Sequence, residues 1–458
     1  TDNSKSYWLT SGIFTLLKYG SALVFNFGSN VLLYYLLSVK ESGVWSLFLI
    51  IAVNFIEVSR SGLIQNGLIR YLSITHVDDH PKIITASFTL NLILTAITVT
   101  LLGLGGHWLA LTLKMPEIEP LFYFYIITTL LLIPFLQFQY IQQANMDFRG
   151  VFWGNFVKQG VNFGVIVIAY ALHYTPTLLN LVHLQTLTTI AGTFVAWFFV
   201  RRFLKFSKVI DWTWVKKLFD YGKYVFTTNL GATIFGSIDS IMLSMLIPAQ
   251  NGANREAVAF QGVALRITNV VEVPTNAMAD ILFPQSARRL ETQGKEGVKY
   301  LYEKAVGVII ALVLPGLILL YLFPRFAILL VTGKDEFLEA VAILQITILY
   351  TIFVPFDRQC GTILDSIGKQ RLNFLLTAFN AVVNIVSNYT YIKLFNLGLL
   401  GASYGTLTTY IISFVLRQMI LRRELGVNLA NVFVYAFGFY GEMFKIGKNF
   451  LQKRVSNG

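Results

Sequence analysis

Long apolar runs broken by short polar segments recur along the whole chain. A helix crossing a bilayer needs roughly 20 mainly apolar residues, and lipid leaves no other partner for its backbone groups than the helix itself. On that measure the pattern predicts spans over 10–38, 43–72, 83–112, 119–145, 150–173, 177–201, 218–247, 257–286, 300–323, 337–364, 371–394 and 397–421. The expected fold is an all-α membrane protein of twelve transmembrane helices. A further aromatic stretch, 430–447, is short, rich in glycine and closed by Glu442 and basic residues. It could form a thirteenth span, but an amphipathic helix lying in the interface fits better.

Composition agrees with the pattern. Hydrophobic residues make up 55% of the 458, charged residues only 13%, and mean hydropathy is +0.62. A soluble domain carries about 25% charged residues, so this chain could not cover its own surface in water. The first run is too long for a cleaved leader and reads as a retained helix. The single cysteine, Cys360, excludes an intrachain disulfide and sits in an apolar run as a small hydrophobe.

The net charge of +12 does not point to nucleic acid, because the basic residues follow the spans. With the N-terminus in the cytoplasm, 23 of the 36 Lys and Arg fall on the cytoplasmic side, 6 on the other side and 7 within spans. That is the positive-inside bias, and it places both termini in the cytoplasm.

The longest polar segment divides the chain into an N-lobe over 1–205, a basic linker over 206–217, a C-lobe over 218–421 and a tail over 422–458. The halves open alike, with Lys18-Tyr19-Gly20 matched by Tyr221-Gly222-Lys223, and Arg60 by Arg266. Repeats of six spans are a common plan for transporters.

Candidate chemistry lies within the spans. The embedded cations are Lys18, Arg60, Lys158, Lys223, Arg266, Arg358 and Arg417, and the acids Glu57, Asp239, Glu272, Asp280 and Asp357. A charge at the bilayer centre costs at least about 2.5 kcal/mol, so such residues face protein or water. Arg417 and Lys223 lie near span ends, where they could snorkel. At helical spacing Lys18 shares a stripe with Asn26 and Ser29, and Lys158 with Asn155, Gln159 and Asn162. Such stripes fit either hydrogen bonding between helices or the wall of a wet cavity. The N-lobe carries the surplus of positive charge, which favours an anion. Phosphate-binding glycine loops and nucleophile elbows are missing from the sequence, which argues against an enzyme. His76-Val77-Asp78-Asp79-His80 has too few ligands for a metal site.

Several stretches resemble the polysaccharide repeat-unit flippases of the MOP exporter superfamily. They are Glu41 to Trp45, Gly62 to Tyr71, Ile238 to Leu243, Ala264 to Ile267, Leu282 to Pro284, and Asp365 to Arg371. The resemblance implies two six-helix lobes around a central cationic cavity. It also implies alternating access that carries undecaprenyl-pyrophosphate-linked oligosaccharide from the cytoplasmic to the periplasmic leaflet of a bacterial inner membrane, as in O-antigen or capsule synthesis. Arg60, Arg266, Lys18 and Lys158 would contact the pyrophosphate or its sugar, with Asn26, Asn155, Gln159, Asn162, Arg358 and Lys223 completing the substrate site. Asp239, Glu272 and Glu57 are candidates for coupling to H+ or Na+, with no other cofactor. The expected partners are the lipid-linked oligosaccharide, membrane lipids, and a polysaccharide polymerase and glycosyltransferases, and the protein is expected to act as a monomer. Two alternatives come from the same superfamily. Multidrug extrusion would need a buried carboxylate such as Asp239, although the first span carries Lys18 and no acid. Peptidoglycan-precursor flippases usually have fourteen spans.

Overall fold

The computed structural model describes residues 2–55 and 60–441. Among these the secondary structure is helical, with no strand. The helices used below are α1 (Asp2–Leu36), α2 (Val39–Phe48), α3 (Asn66–Ile74), α4 (His80–Thr112), α5 (Ile118–Ala144), α6 (Phe148–Ala171), α7 (Leu178–Val200) and α8 (Trp212–Leu246). They continue as α9 (Ala253–Thr268), α10 (Glu272–Leu322, broken at Gly294 where φ is 66°), α11 (Pro324–Thr332), α12 (Ala340–Thr351) and α13 (Val354–Ser366). The last are α14 (Gln370–Tyr389), α15 (Gly401–Leu425) and α16 (Leu429–Gly441).

Seven helical segments among the described residues are long and apolar enough to cross a membrane, or eight if the bent α8 is counted as one span. The predicted spans 10–38, 257–286 and 371–394 lie on helical segments that fall short of that standard, and residues 56–59 of the predicted span 43–72 lie outside the described residues. The count of twelve is therefore not reproduced by length and apolarity alone. For those three the physical reason is visible in the sequence, since they carry Lys18, Arg266 and the asparagines of α14. A helix with such a polar face needs other helices around it. The second predicted span is also uneven, with π-helical turns at Leu49–Asn54 and Ser61–Gln65.

The chain forms two compact units. The first comprises Thr1–Ser237 and Pro248–Ala259. Its core joins Leu63, Ile64 and Leu68 to Ile83 and Leu90 of α4, Ile141 of α5, Ala196 of α7 and Leu218 of α8. Two motif glycines make that contact possible. A Cβ on Gly222 would overlap the backbone of Leu63, and one on Gly62 would lie 2.7 Å from the Cα of Phe226. Ser38 and Glu41 cap α2 reciprocally, with Glu41 N–H donating to Ser38 Oγ (3.2 Å) and Ser38 N–H to Glu41 Oε2 (2.9 Å).

The second unit comprises Ile238–Ile247 and Phe260–Gly458. Its core gathers Leu282, Val298, Tyr302 and Val306 of α10, Phe356, Cys360 and Ile363 of α13, Leu376 of α14, Leu421 of α15 and Val432 of α16. Cys360 is fully buried there, as a small apolar residue should be.

The tail forms α16, which packs on α10. Buried Glu303 accepts hydrogen bonds from Asn428 N–H (2.8 Å) and Asn431 Nδ2 (2.9 Å) at the start of α16. Tyr435 then packs edge-on against Tyr300 at 5.7 Å, and the Tyr440 hydroxyl donates to the carbonyl of Ala311 (2.5 Å). Gly307 lies against Val432, Tyr435 and Ala436, so α16 packs on α10, the predicted ninth span. Its free side presents Phe433, Val434 and Phe437, which suits lipid better than water. Residues 442–447 of the predicted segment lie outside the described residues.

Candidate functional site

In the first unit, α1 and α6 pack together through the predicted polar stripes. Phe25 lies between Phe156 (5.2 Å) and Phe163 (5.6 Å), and Asn162 Nδ2 reaches Ser29 Oγ at 3.5 Å. Asn155 Nδ2 donates to Gln139 Oε1 of α5 (3.0 Å) and to its own helix at the carbonyl of Val151 (2.8 Å). Half-buried Lys158 holds its ammonium 4.8 Å from the ring centre of Phe135. Gln159, one residue on, keeps its Oε1 buried without a hydrogen bond among the described residues. Lys18 is half-buried and Asn26 exposed, with the Asn26 carbonyl accepting from Asn30. The stripes thus combine interhelical hydrogen bonding with one buried oxygen, Gln159 Oε1, that has no hydrogen bond among the described residues.

Arg60 stands elsewhere. It is 1% exposed and donates to Thr95 Oγ1 of α4 and to the carbonyl of Thr129 in α5, both at 2.9 Å. The guanidinium therefore ties the second predicted span to the third and fourth within this unit. Glu57 lies outside the described residues. Lys223 pairs with Asp220 of the same helix at 2.7 Å.

The second unit contains a polar system centred on α14. Asn380, Asn384 and Asn388 repeat every fourth residue and are all buried. Asp239, from the second part of α8, accepts from Asn388 Nδ2 (2.8 Å) and from Thr406 Oγ1 of α15 (2.6 Å). Asn384 Nδ2 donates to Thr406 Oγ1 (3.0 Å), and Asn388 Nδ2 lies 3.3 Å from Asn384 Oδ1. Among the described residues Asp239 makes no ion pair, so its partners are neutral amide and hydroxyl groups. Asn388 Oδ1 is buried and accepts no hydrogen bond among them. Gly405 leaves it room, because a Cβ there would overlap that oxygen. The arrangement offers carboxylate, amide and hydroxyl oxygens at one buried point, the donor set that hard cations take.

One helical turn along, Asn380 Nδ2 donates to Ser413 Oγ (2.7 Å), which donates to Asp357 Oδ1 (2.8 Å). Arg417 Nε lies 2.6 Å from the same carboxylate oxygen, and its NH1 donates to Asn373 Oδ1 (3.2 Å). Arg417 is thus buried in an ion pair. It does not snorkel, although it sits near the end of its span. Arg358 and Glu272 are exposed, and Arg266 is half-buried in the last turn of α9. The sequence reading missed Asn384, Asn388 and Thr406. The signal was present as asparagines at four-residue spacing in an apolar run. No group of three or more His, Cys, Asp or Glu among the described residues could hold a metal. In the 76–80 loop, Asp79 instead pairs with Lys82 (2.9 Å).

Two compact helical units with largely apolar exteriors and charged residues enclosed within them define a polytopic membrane protein. Comparison with solved structures agrees. The chain superposes on an inward-facing multidrug resistance MATE family transporter of the MOP superfamily with a TM-score of 0.73, at 16% identity, over 88% of this chain and 94% of the other. It superposes on the lipid II flippase MurJ with 0.71, at 11% identity, over 95% and 92%. A MOP superfamily transporter from Pyrococcus furiosus gives 0.62, at 17% identity, over 91% and 96%. The fold is that of the MOP superfamily.

The chain belongs to the polysaccharide biosynthesis protein family, which it matches over residues 32–342. An uncharacterized membrane protein, MJ1068 of Methanocaldococcus jannaschii, is 26% identical over 269 residues, 58% of this chain. The match spans about half (52%) the length of that relative.

Proposed function

We propose that this protein is a flippase for a polyprenyl-diphosphate-linked oligosaccharide, undecaprenyl in a bacterial inner membrane, and that it works by alternating access. The family match over residues 32–342 carries this reading. The chemistry supports it, because a lipid diphosphate is a compact anion that Lys and Arg bind well. Lys158 and Lys18, beside Asn155, Gln159 and Asn162, would meet the head group from α6 and α1. Arg266, Arg358, Lys223 and Asn26 would meet it elsewhere along its path. Arg60 would act chiefly by holding the helices that position them. No chemical step is required of the protein, so the activity is transport and not catalysis.

Asp239, Asn384, Asn388 and Thr406 would form the coupling site for Na+ or H+. Glu272 and Glu57 are the further candidates. A second reading, extrusion of organic cations, draws on the same buried Asp239 carboxylate. Proteoliposomes loaded with a fluorescent lipid-linked oligosaccharide test both. Flipping that depends on a Na+ or H+ gradient, and that is lost in Lys158→Ala and uncoupled in Asp239→Asn, is expected. Drug efflux from the same vesicles without flipping would reject the first reading in favour of the second.

A further inference from the structure

A cavity of about 330 Å³ opens on the first unit where α5 and α7 end and α6 begins. It is lined by Asp147, Arg149, Phe198, Phe199, Arg201 and Arg202. Three guanidiniums share it with one carboxylate. Arg202 spends part of its charge on Asp147, with NH2 to Oδ2 at 2.5 Å. The lining side chains together carry three positive formal charges and one negative.

The walls are built from packed elements. Gln142 Nε2 donates to the carbonyl of Ala196 (2.8 Å), which ties α5 to α7. Gly150 lets the first turn of α6 close on them, since a Cβ there would lie 2.6 Å from Phe199 Cβ and 2.7 Å from Gln142 Cδ. Aromatic faces steady two of the arginines, Arg201 at 4.5 Å from the centre of Phe198 and Arg202 at 4.6 Å from that of Phe203. From the cavity an exposed strip of Phe198, Trp197 and Phe194 leads back along α7, one of the helices long and apolar enough to span.

Cationic head and apolar strip together select an amphiphile. A free anion would gain nothing from the aromatic strip, and a hydrocarbon would gain nothing from the guanidiniums. Guanidinium forks match phosphate oxygens in geometry as well as charge. The positive-inside bias places this end of the unit in the cytoplasm, at head-group level.

We infer that this cavity is a binding site for the phosphate of an anionic glycerophospholipid, whose acyl chains lie along Phe194, Trp197 and Phe198. The site is independent of the flippase reading.

The test uses the full-length protein in phosphatidylcholine nanodiscs containing a minority of phosphatidylglycerol. Lipid retained after extraction is counted by native mass spectrometry. The wild type is expected to retain phosphatidylglycerol over phosphatidylcholine. Arg149→Gln/Arg201→Gln, which leaves Arg202 on Asp147, is expected to weaken retention by roughly tenfold or more. Equal retention by variant and wild type overturns the proposal, as does no preference between the two lipids. Displacement of the lipid by millimolar inorganic phosphate overturns it too, in favour of a soluble anion. Should the variant fail to fold, photo-crosslinking of a diazirine-bearing phosphatidylglycerol to the wild type decides. Labelling at 194–203 supports the site, and labelling confined to other segments rejects it.

Discussion

Replacing Arg417 by Met isolates the energetics of the polar system in the second unit. The Arg417 side chain is 4% exposed and its partner Asp357 30% exposed, with Nε 2.6 Å from Oδ1. Methionine keeps most of the volume and removes the charge. Asp357 is then left with Ser413 as its one remaining hydrogen-bond donor among the described residues, and Asn373 loses the donor to its Oδ1. Removing one partner of a fully buried pair costs ~3–5 kcal/mol. Asp357 is partly open, so solvent recovers some of that, and a loss of about 2–3 kcal/mol is expected. Arg417→Met/Asp357→Asn removes the orphaned charge and should return most of the loss, to within ~1 kcal/mol of the wild type. Equilibrium unfolding in mixed micelles measures all three proteins. A single variant as stable as the wild type, or a double variant worse than the single, would refute the reasoning that Arg417 and Asp357 stabilise each other as a largely buried ion pair.

Gly405→Ala places a methyl group where Asn388 Oδ1 sits, so it should cost ~1–3 kcal/mol by overpacking. The same variant should also weaken the Na+ or H+ dependence of flipping in proteoliposomes. Arg60→Ala deletes two buried charge-assisted hydrogen bonds and should lower stability by ~2–4 kcal/mol together with transport. Lys158→Ala should instead abolish transport with unfolding nearly unchanged, and thermal unfolding beside the flipping assay separates the two. Glu303→Ala removes the acceptor for Asn428 and Asn431 at the start of α16, so limited proteolysis should cut the 426–431 segment at least several-fold faster than in wild type.

The helical membrane fold was legible because the bilayer imposes a local requirement. Each crossing segment must satisfy its own backbone and present about 20 apolar residues, and both conditions are written within a single run. The stripes around Lys18 and Lys158 were legible for the same reason, since helical spacing places their members on one face. Arg417 and the tail show where such reading stops. Proximity to a span end suggested that Arg417 snorkels, yet Asp357, 60 residues earlier in the chain, neutralises it in the interior. The tail looked marginal as a span on length and glycine content, yet Glu303 and Tyr300 draw α16 alongside α10.

From the sequence alone follow the membrane class, the helical runs, the charge bias between their ends and the set of polar residues that must avoid lipid. These depend on composition and on neighbours a turn or two away. Which of those residues meet was decided only by the packed structure. Asp239 meets Asn388 across 149 residues and Thr406 across 167, and Arg60 meets Thr129 across 69. A buried polar group lowers its energy only when a partner is held within hydrogen-bond distance, and the packing of helices far apart in the chain supplies that partner.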